Sequence, residues 1–204
     1  MNSKKIFQWI IVIIAWVAVI IQFCLMIQNR VASISETIIR FFSFFTILTN
    51  ILVAVAFSVL AAGKQSNFFS NPSILSAITV YIFIVGLVYN IVLRSIWDPK
   101  GLQLYVDEAL HVATPVLCLV YWFLYVPGQG LRWRNTFLWL WYPLIYLVYV
   151  LIRGSLSHFY PYPFINVDKL GYQKAIINSL YVTVAFLVVS LLLVWIGRSL
   201  KKRV

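Results

Sequence analysis

The residue of this 204-residue chain whose type could do chemistry in apolar surroundings is His111, and polar side chains of other apolar runs, Thr46 among several hydroxyls, fall in the same layer. A hydroxyl attacks poorly until a base takes its proton, and histidine is the side chain suited to that near neutral pH. His111 is the one histidine inside an apolar run, whereas His158 lies in a polar connection. Asp107 and Glu108 precede it by about one helical turn, so either carboxylate is a candidate to orient the imidazole, as the third member of a triad does. The oxyanion of such a reaction needs hydrogen-bond donors, and Asn50, Asn90 and Tyr149 are the candidates. Arg40, Arg94 and Arg153 stand near the ends of apolar runs, where they suit the carboxylate of a bound lipid. They are equally placed to snorkel to headgroups or to pair with Asp98, Asp107 and Glu108. Asn178 adds a further polar side chain for substrate contact.

The elements that must position these residues follow from composition. The chain is 63% hydrophobic and only 10% charged, against roughly 45–50% and 25% in an ordinary soluble domain. Its mean hydropathy is +0.94. There is too little polar material to cover a soluble globule, and the net charge of +11 does not indicate nucleic acid, because the bases lie between long apolar runs instead of on one soluble face. Apolar stretches recur at about 6–27, 38–62, 74–96, 105–126, 136–153 and 173–197. Each is near the ~20 residues a helix needs to cross a bilayer. Alternating ten-residue strands of a membrane barrel are absent. The expectation is an all-α integral membrane protein, a single domain over residues 1–204 forming a bundle of six transmembrane helices. Lys4 and Lys5 before the first run resemble a signal peptide, but the run is too long and lacks a small-residue cleavage site, so it reads as a permanent helix.

Six spans put both termini on one face. That face carries Lys4, Lys5, Lys64, Arg132, Arg134, Arg198, Lys201, Lys202 and Arg203, and no acid. The other carries Arg30, Arg40, Arg94, Lys100, Arg153, Lys169 and Lys174 with all five acids. The bias in bases points to cytoplasmic termini. With that orientation Thr46 lies roughly 12 Å and His111 roughly 9 Å below the outer surface, at 1.5 Å per residue. Helical phase puts Ser43, Thr46 and Asn50 on one face, Asn90 with Arg94 on another, and Asp107, Glu108 and His111 on a third. Tyr142, Tyr146, Tyr149 and Arg153 form a stripe. A polar pocket in the outer-leaflet half is expected, since polar groups at membrane depth mark functional sites. Pro115, four residues after His111, frees the His111 carbonyl from its helical partner. Cys24 and Cys118 stand apart and read as packing residues. Neither a metal-ligand spacing nor a cofactor fingerprint occurs, so no metal and no cofactor is expected.

The run Trp141 to Phe164, WYPLIYLVYVLIRGSLSHFYPYPF, taken with TILTN (Thr46 to Asn50) and HVATP (His111 to Pro115), resembles a group of bacterial six-helix membrane proteins with a YPYPF signature in the last outer loop. More distantly it is similar to the androgen-induced membrane proteins of animals, which are multi-pass threonine hydrolases of fatty acid esters of hydroxy fatty acids. The resemblance runs through most of the chain in helix order. It implies a catalytic threonine at Thr46, or at Thr49 in an alternative register, and a catalytic histidine at His111. Tyr162, Pro163 and Phe164 match the family's Tyr-Pro-Phe. The chain departs from the pattern in having Asn50 four residues after Thr46 instead of three, and Pro115 four residues after His111 instead of five.

Three functions fit the residues. The first is a hydrolase of lipid esters in a bacterial cell membrane, acting on membrane lipids through Thr46 and His111. The second is a non-catalytic lipid or small-molecule binding or transport protein using the same polar layer, for which repeated halves and broken helices are the usual signs; neither is apparent in the sequence. The third is a partner-binding membrane protein with a satisfied polar core.

Overall fold

The computed structural model describes residues 2–63, 66–126, 128 and 130–200; Lys64, Lys201, Lys202 and Arg203, four of the bases assigned to the terminal face, lie outside the described residues. Helix α1, Ser3–Gln28, is an unbroken apolar rod whose start is capped by the Asn2 side chain on the Lys4 amide. Helix α2, Ile34–Phe41, is capped by Ser33 on the Glu36 amide. Helix α3, Phe45–Ala61, leaves it at an angle of 69°. Helix α4, Pro72–Val88, continues into a wider π turn, Tyr89–Leu93. Helix α5, Leu102–Glu108, passes through a second π turn, Ala109–Ala113, into α6, Thr114–Tyr125. Helices α7, Trp133–Trp139, and α8, Trp141–Ser157, follow one another almost directly. The chain then makes a short 3-10 turn at Pro163–Ile165 and ends in α9, Val167–Leu200, interrupted at Gly171.

Among the described residues there is no strand. Five rods are long and apolar enough to cross a membrane, and α2 with α3 makes a sixth if the bent pair is one span. The continuous helix expected over 38–62 is therefore replaced by two. The break at Phe42–Phe44 contains neither glycine nor proline; its polar backbone is satisfied from elsewhere, as it must be at membrane depth. The Ser43 hydroxyl donates to Ile39 O (2.7 Å), and the Tyr146 hydroxyl of α8 donates to Ser43 O (2.9 Å).

The outward faces of α1 and α9 are apolar, with Ile13, Ile20, Val184 and Leu192 all exposed. A soluble bundle would place charge there; a lipid-facing one leaves such residues out. Inside, α1 packs along α3, where Ala15, Ala54 and Ala56 are fully buried. Small residues let helix backbones approach closely where no hydrophobic drive separates helix from lipid. Polar groups within the bundle find one another: Gln8 donates to the Tyr121 hydroxyl (2.7 Å) and Trp122 to Ser76 Oγ (2.7 Å). Helix α4 crosses the second π turn at Gly86. A Cβ there would lie 2.8 Å from His111 O and 3.1 Å from Pro115 Cβ, so the crossing depends on the missing side chain.

Candidate functional site

Thr46 occupies the first turn of α3, a helix that starts without a side-chain cap of its own because its N-cap residue is Phe44. The orphan amide of that turn needs an acceptor. The Tyr162 phenol supplies it, accepting from the Thr46 amide at 3.1 Å, and the same oxygen lies 3.2 Å from Thr46 Oγ1. Tyr162 reaches in from the YPYPF loop, which Asn178 fastens by donating to Phe164 O (2.9 Å). Phe164 stacks on the Tyr162 ring and Phe44 meets it edge-on. Burial pushes the Tyr162 phenol above its ordinary range, so it is a neutral hydroxyl at pH 7. Thr49 sits elsewhere: it is fully buried, with its hydroxyl 3.4 Å from that of Tyr142.

His111 and its neighbour Tyr89 both belong to π turns, irregularities that re-aim side chains and recur at functional sites. The two rings stack with centroids 3.8 Å apart. His111 Nδ1 is 2.9 Å from the Asp107 backbone carbonyl. A carbonyl only accepts, so Nδ1 carries the proton and the neutral ring keeps its lone pair at Nε2. This corrects the expected role of the two acids, since neither carboxylate touches the imidazole. Asp107 is buried and held by neutral donors, Trp97 Nε1 at 2.6 Å, Gln103 Nε2 at 3.0 Å and the Tyr89 hydroxyl at 3.4 Å. Glu108 pairs instead with Arg94 at the half-exposed surface.

Asn50 joins the two halves of the site. Its amide donates to Thr46 O (2.9 Å) and to Leu110 O (3.3 Å), tying the first turn of α3 to the residue before His111. Both amide hydrogens are then spent, which removes Asn50 as an oxyanion donor. Asn90 is exposed in the π turn that follows α4, and its amide donates to Gly86 O (2.8 Å) and His111 O (3.4 Å). The carbonyl freed by Pro115 thus gains a partner, and Asn90 has no donor left for an oxyanion. Tyr149 faces Ser43 Oγ at 3.2 Å, away from the cavity described next.

Thr46, Tyr162, Tyr89, Asp107 and His111 all line one cavity of about 690 Å³. Its remaining walls come from the end of α1, the α1–α2 connection, α2, Trp97 and the loop at Phe159–Pro163. A second, apolar cavity of about 80 Å³ lies among α4, α8 and α9, and Thr46, Leu93 and Tyr162 belong to the walls of both. Of the three arginines expected at the rim, Arg40 lines the larger cavity, as does Arg30. Arg94 and Arg153 do not. Arg153 is buried and shares Glu36 with Arg40, each bond 2.8 Å, while both guanidinium groups lie over the Phe159 ring at 4.6 and 5.0 Å. Arg153 therefore fastens the loop between α8 and α9, and Asn178 does the same through Phe164, so neither faces the cavity.

The residues that spacing missed are Tyr162, Tyr89, Trp97 and Gln103. For Tyr162 the YPYPF run was a usable signal, since a rigid aromatic loop after a polar helix face invites a contact with it. The other three carried none beyond being polar near a helix end. The chain matches no family model, no curated protein and no solved structure.

Proposed function

We propose that the chain is a membrane-embedded hydrolase of lipid esters in which Thr46 is the nucleophile and His111 the base. The observation that carries this reading is that both side chains line one cavity of about 690 Å³, with the unprotonated ring nitrogen of His111 left over for proton transfer. Thr46 is preferred to Thr49 because only Thr46 meets that space. In the reaction, Thr46 Oγ bonds to the ester carbon as its proton passes to His111 Nε2. Collapse of the tetrahedral species breaks the bond to the alkoxy group, which leaves with that proton as an alcohol. Water, deprotonated by the same nitrogen, then releases the acid and restores Thr46.

The termini are assigned to the cytoplasm of a bacterial cell, which puts the cavity in the outer half of its membrane. Six spans, with the bent α2–α3 pair taken as one, and the excess of bases at the terminal face support this. An ester in the outer leaflet then reaches Thr46 with its chains still in hydrocarbon, and Arg30 and Arg40 suit an anionic headgroup or free carboxylate at the rim.

The test is turnover of a long-chain ester by the purified protein in detergent. Thr46→Ala and His111→Ala are each expected to lose at least ~10³-fold in kcat while unfolding at the wild-type temperature. Wild-type turnover in either folded variant overturns the reading. A second reading, a lipid-binding or transport protein, is favoured by one observation, the 69° break between α2 and α3 beside the cavity; broken helices of this kind build substrate sites in transporters. It predicts stoichiometric lipid binding with no hydrolysis at all.

A further inference from the structure

Once Asn50, Asn90 and Tyr149 are spent or turned away, the hydrolytic reading lacks an oxyanion donor, and the contacts around Thr46 supply one. The Tyr162 oxygen is 3.2 Å from Thr46 Oγ1 and accepts the Thr46 amide at 3.1 Å. With that lone pair engaged, the phenol retains one O–H to give, and accepting from the amide polarises it into a better donor. It faces the cavity that holds His111. We propose that Tyr162 is a catalytic residue that donates this hydrogen bond to the carbonyl oxygen as Thr46 attacks.

This rests on the hydrolase reading and deepens it. The Tyr162 and Thr46 hydroxyls lie 3.2 Å apart and either can donate to the other; in the proposed reaction the phenol is the donor, which leaves the Thr46 proton for His111 across the cavity that both residues line. When Oγ1 bonds to the ester carbon, its lone pair is consumed and the carbonyl π pair moves onto oxygen. That oxygen and Oγ1 are attached to the same carbon, so the Tyr162 hydroxyl needs only a small swing to pass from one to the other. The bond is strongest in the tetrahedral species, which is the condition for a donor to raise kcat instead of merely tightening substrate binding. Position also matters. Tyr162 and Thr46 both belong to the walls of the two cavities, so the group it would polarise sits beside both spaces. The loop that carries it is anchored at both sides, by Arg153 donating to Phe159 O (3.4 Å) and by Asn178 at Phe164 O (2.9 Å), which holds the donor in place before substrate arrives.

The experiment compares Tyr162→Phe with wild type on three measurements: turnover of a long-chain ester, inhibition by a long-chain trifluoromethyl ketone that forms the tetrahedral adduct, and binding of the matching ether, which cannot react. The expected result is a ~10²–10³-fold loss of kcat with KM little changed. Affinity for the ketone falls by a similar factor and affinity for the ether stays as in wild type. Equal loss of ketone and ether binding shows that the tyrosine only shapes the site and overturns the proposal. Wild-type kcat in Tyr162→Phe, with Thr46→Ala inactive, also overturns it and leaves the hydrolase reading standing. Wild-type turnover in Thr46→Ala removes the underlying reading instead. If Tyr162→Phe fails to fold, 3,5-difluorotyrosine at position 162 keeps the hydroxyl and makes it a stronger donor. Tighter binding of the ketone without a change for the ether is then expected, and unchanged binding of both overturns the proposal.

Discussion

Asn50 gives both of its amide hydrogens to backbone carbonyls of two different segments, Thr46 O in α3 and Leu110 O beside His111, and it is fully buried. Its side-chain oxygen is left without a partner. The side chain therefore works as a spacer between the first turn of α3 and the segment at His111 and has no amide hydrogen left for a ligand. Asn50→Leu is expected to lower stability by ~0.6–1.7 kcal/mol, the average to upper value for an interhelical hydrogen bond in a membrane protein. Asn50→Asp should be worse, since a carboxylate would face two carbonyl oxygens. Thermal unfolding in one detergent orders the three proteins, and an Asn50→Asp variant as stable as wild type contradicts the assignment. At this scale the sequence was legible where residue type decides. His111 stands out because it is the one imidazole in an apolar run, whereas Thr46 is one of several hydroxyls there and is singled out only by the resemblance. The contacts that orient them were not legible. The group on His111 Nδ1 is a backbone carbonyl, which every residue possesses, and spacing places Asp107 one turn away without choosing its rotamer. Tyr162 is 116 residues from Thr46, and nothing local to either announces the other.

Elements bring these residues together through departures from regular helix. Tyr89 and His111 stack because each lies in a π turn, and the turns meet where Gly86 lets α4 approach the chain at His111 and Pro115. Gly86→Ala places a methyl group 2.8 Å from His111 O, and that oxygen is backbone, so the helices must part. The expected cost is ~1–3 kcal/mol, typical of overpacking, together with a fall in ester turnover, because separating the π turns shifts Tyr89 against His111. A Gly86→Ala protein with wild-type melting temperature and turnover would show that the close crossing does not position the site. The long apolar runs made the membrane rods legible, and Pro115 made the freed His111 carbonyl legible. The break between α2 and α3 was hidden for a physical reason. Phe42, Ser43 and Phe44 carry no helix-breaking chemistry, and the partners that make the break tolerable arrive from α8, whose Tyr146 donates to Ser43 O, and from the YPYPF loop, whose Tyr162 accepts from the Thr46 amide.

Over the whole molecule, ion pairing changes how the charges sort. Arg40 and Arg153 share Glu36, Arg94 holds Glu108, and Lys100 lies 3.6 Å from Asp98. The first three arginines are thus committed within the bundle near helix ends, leaving Arg30, Lys100, Lys169 and Lys174 as the bases closest to connections on that side. The opposite face keeps Lys4, Lys5, Arg132, Arg134 and Arg198 with no acid beside them in the sequence. Orientation follows bases in short connections and not net charge, so the cytoplasmic placement of the termini rests on the sequence bias of nine bases against seven and is a proposal that labelling tests. The proposed topology then has a direct consequence for labelling. His158 is 79% exposed at its side chain in the loop that carries Tyr162, and Arg134 is exposed at the terminal face. In a background with Cys24→Ala and Cys118→Ala, a membrane-impermeant maleimide added to intact cells should modify the His158→Cys protein at once. It should modify the Arg134→Cys protein only after permeabilisation. The reverse pattern would turn the cavity towards the cytoplasm and make the inner leaflet the source of any lipid that reaches Thr46.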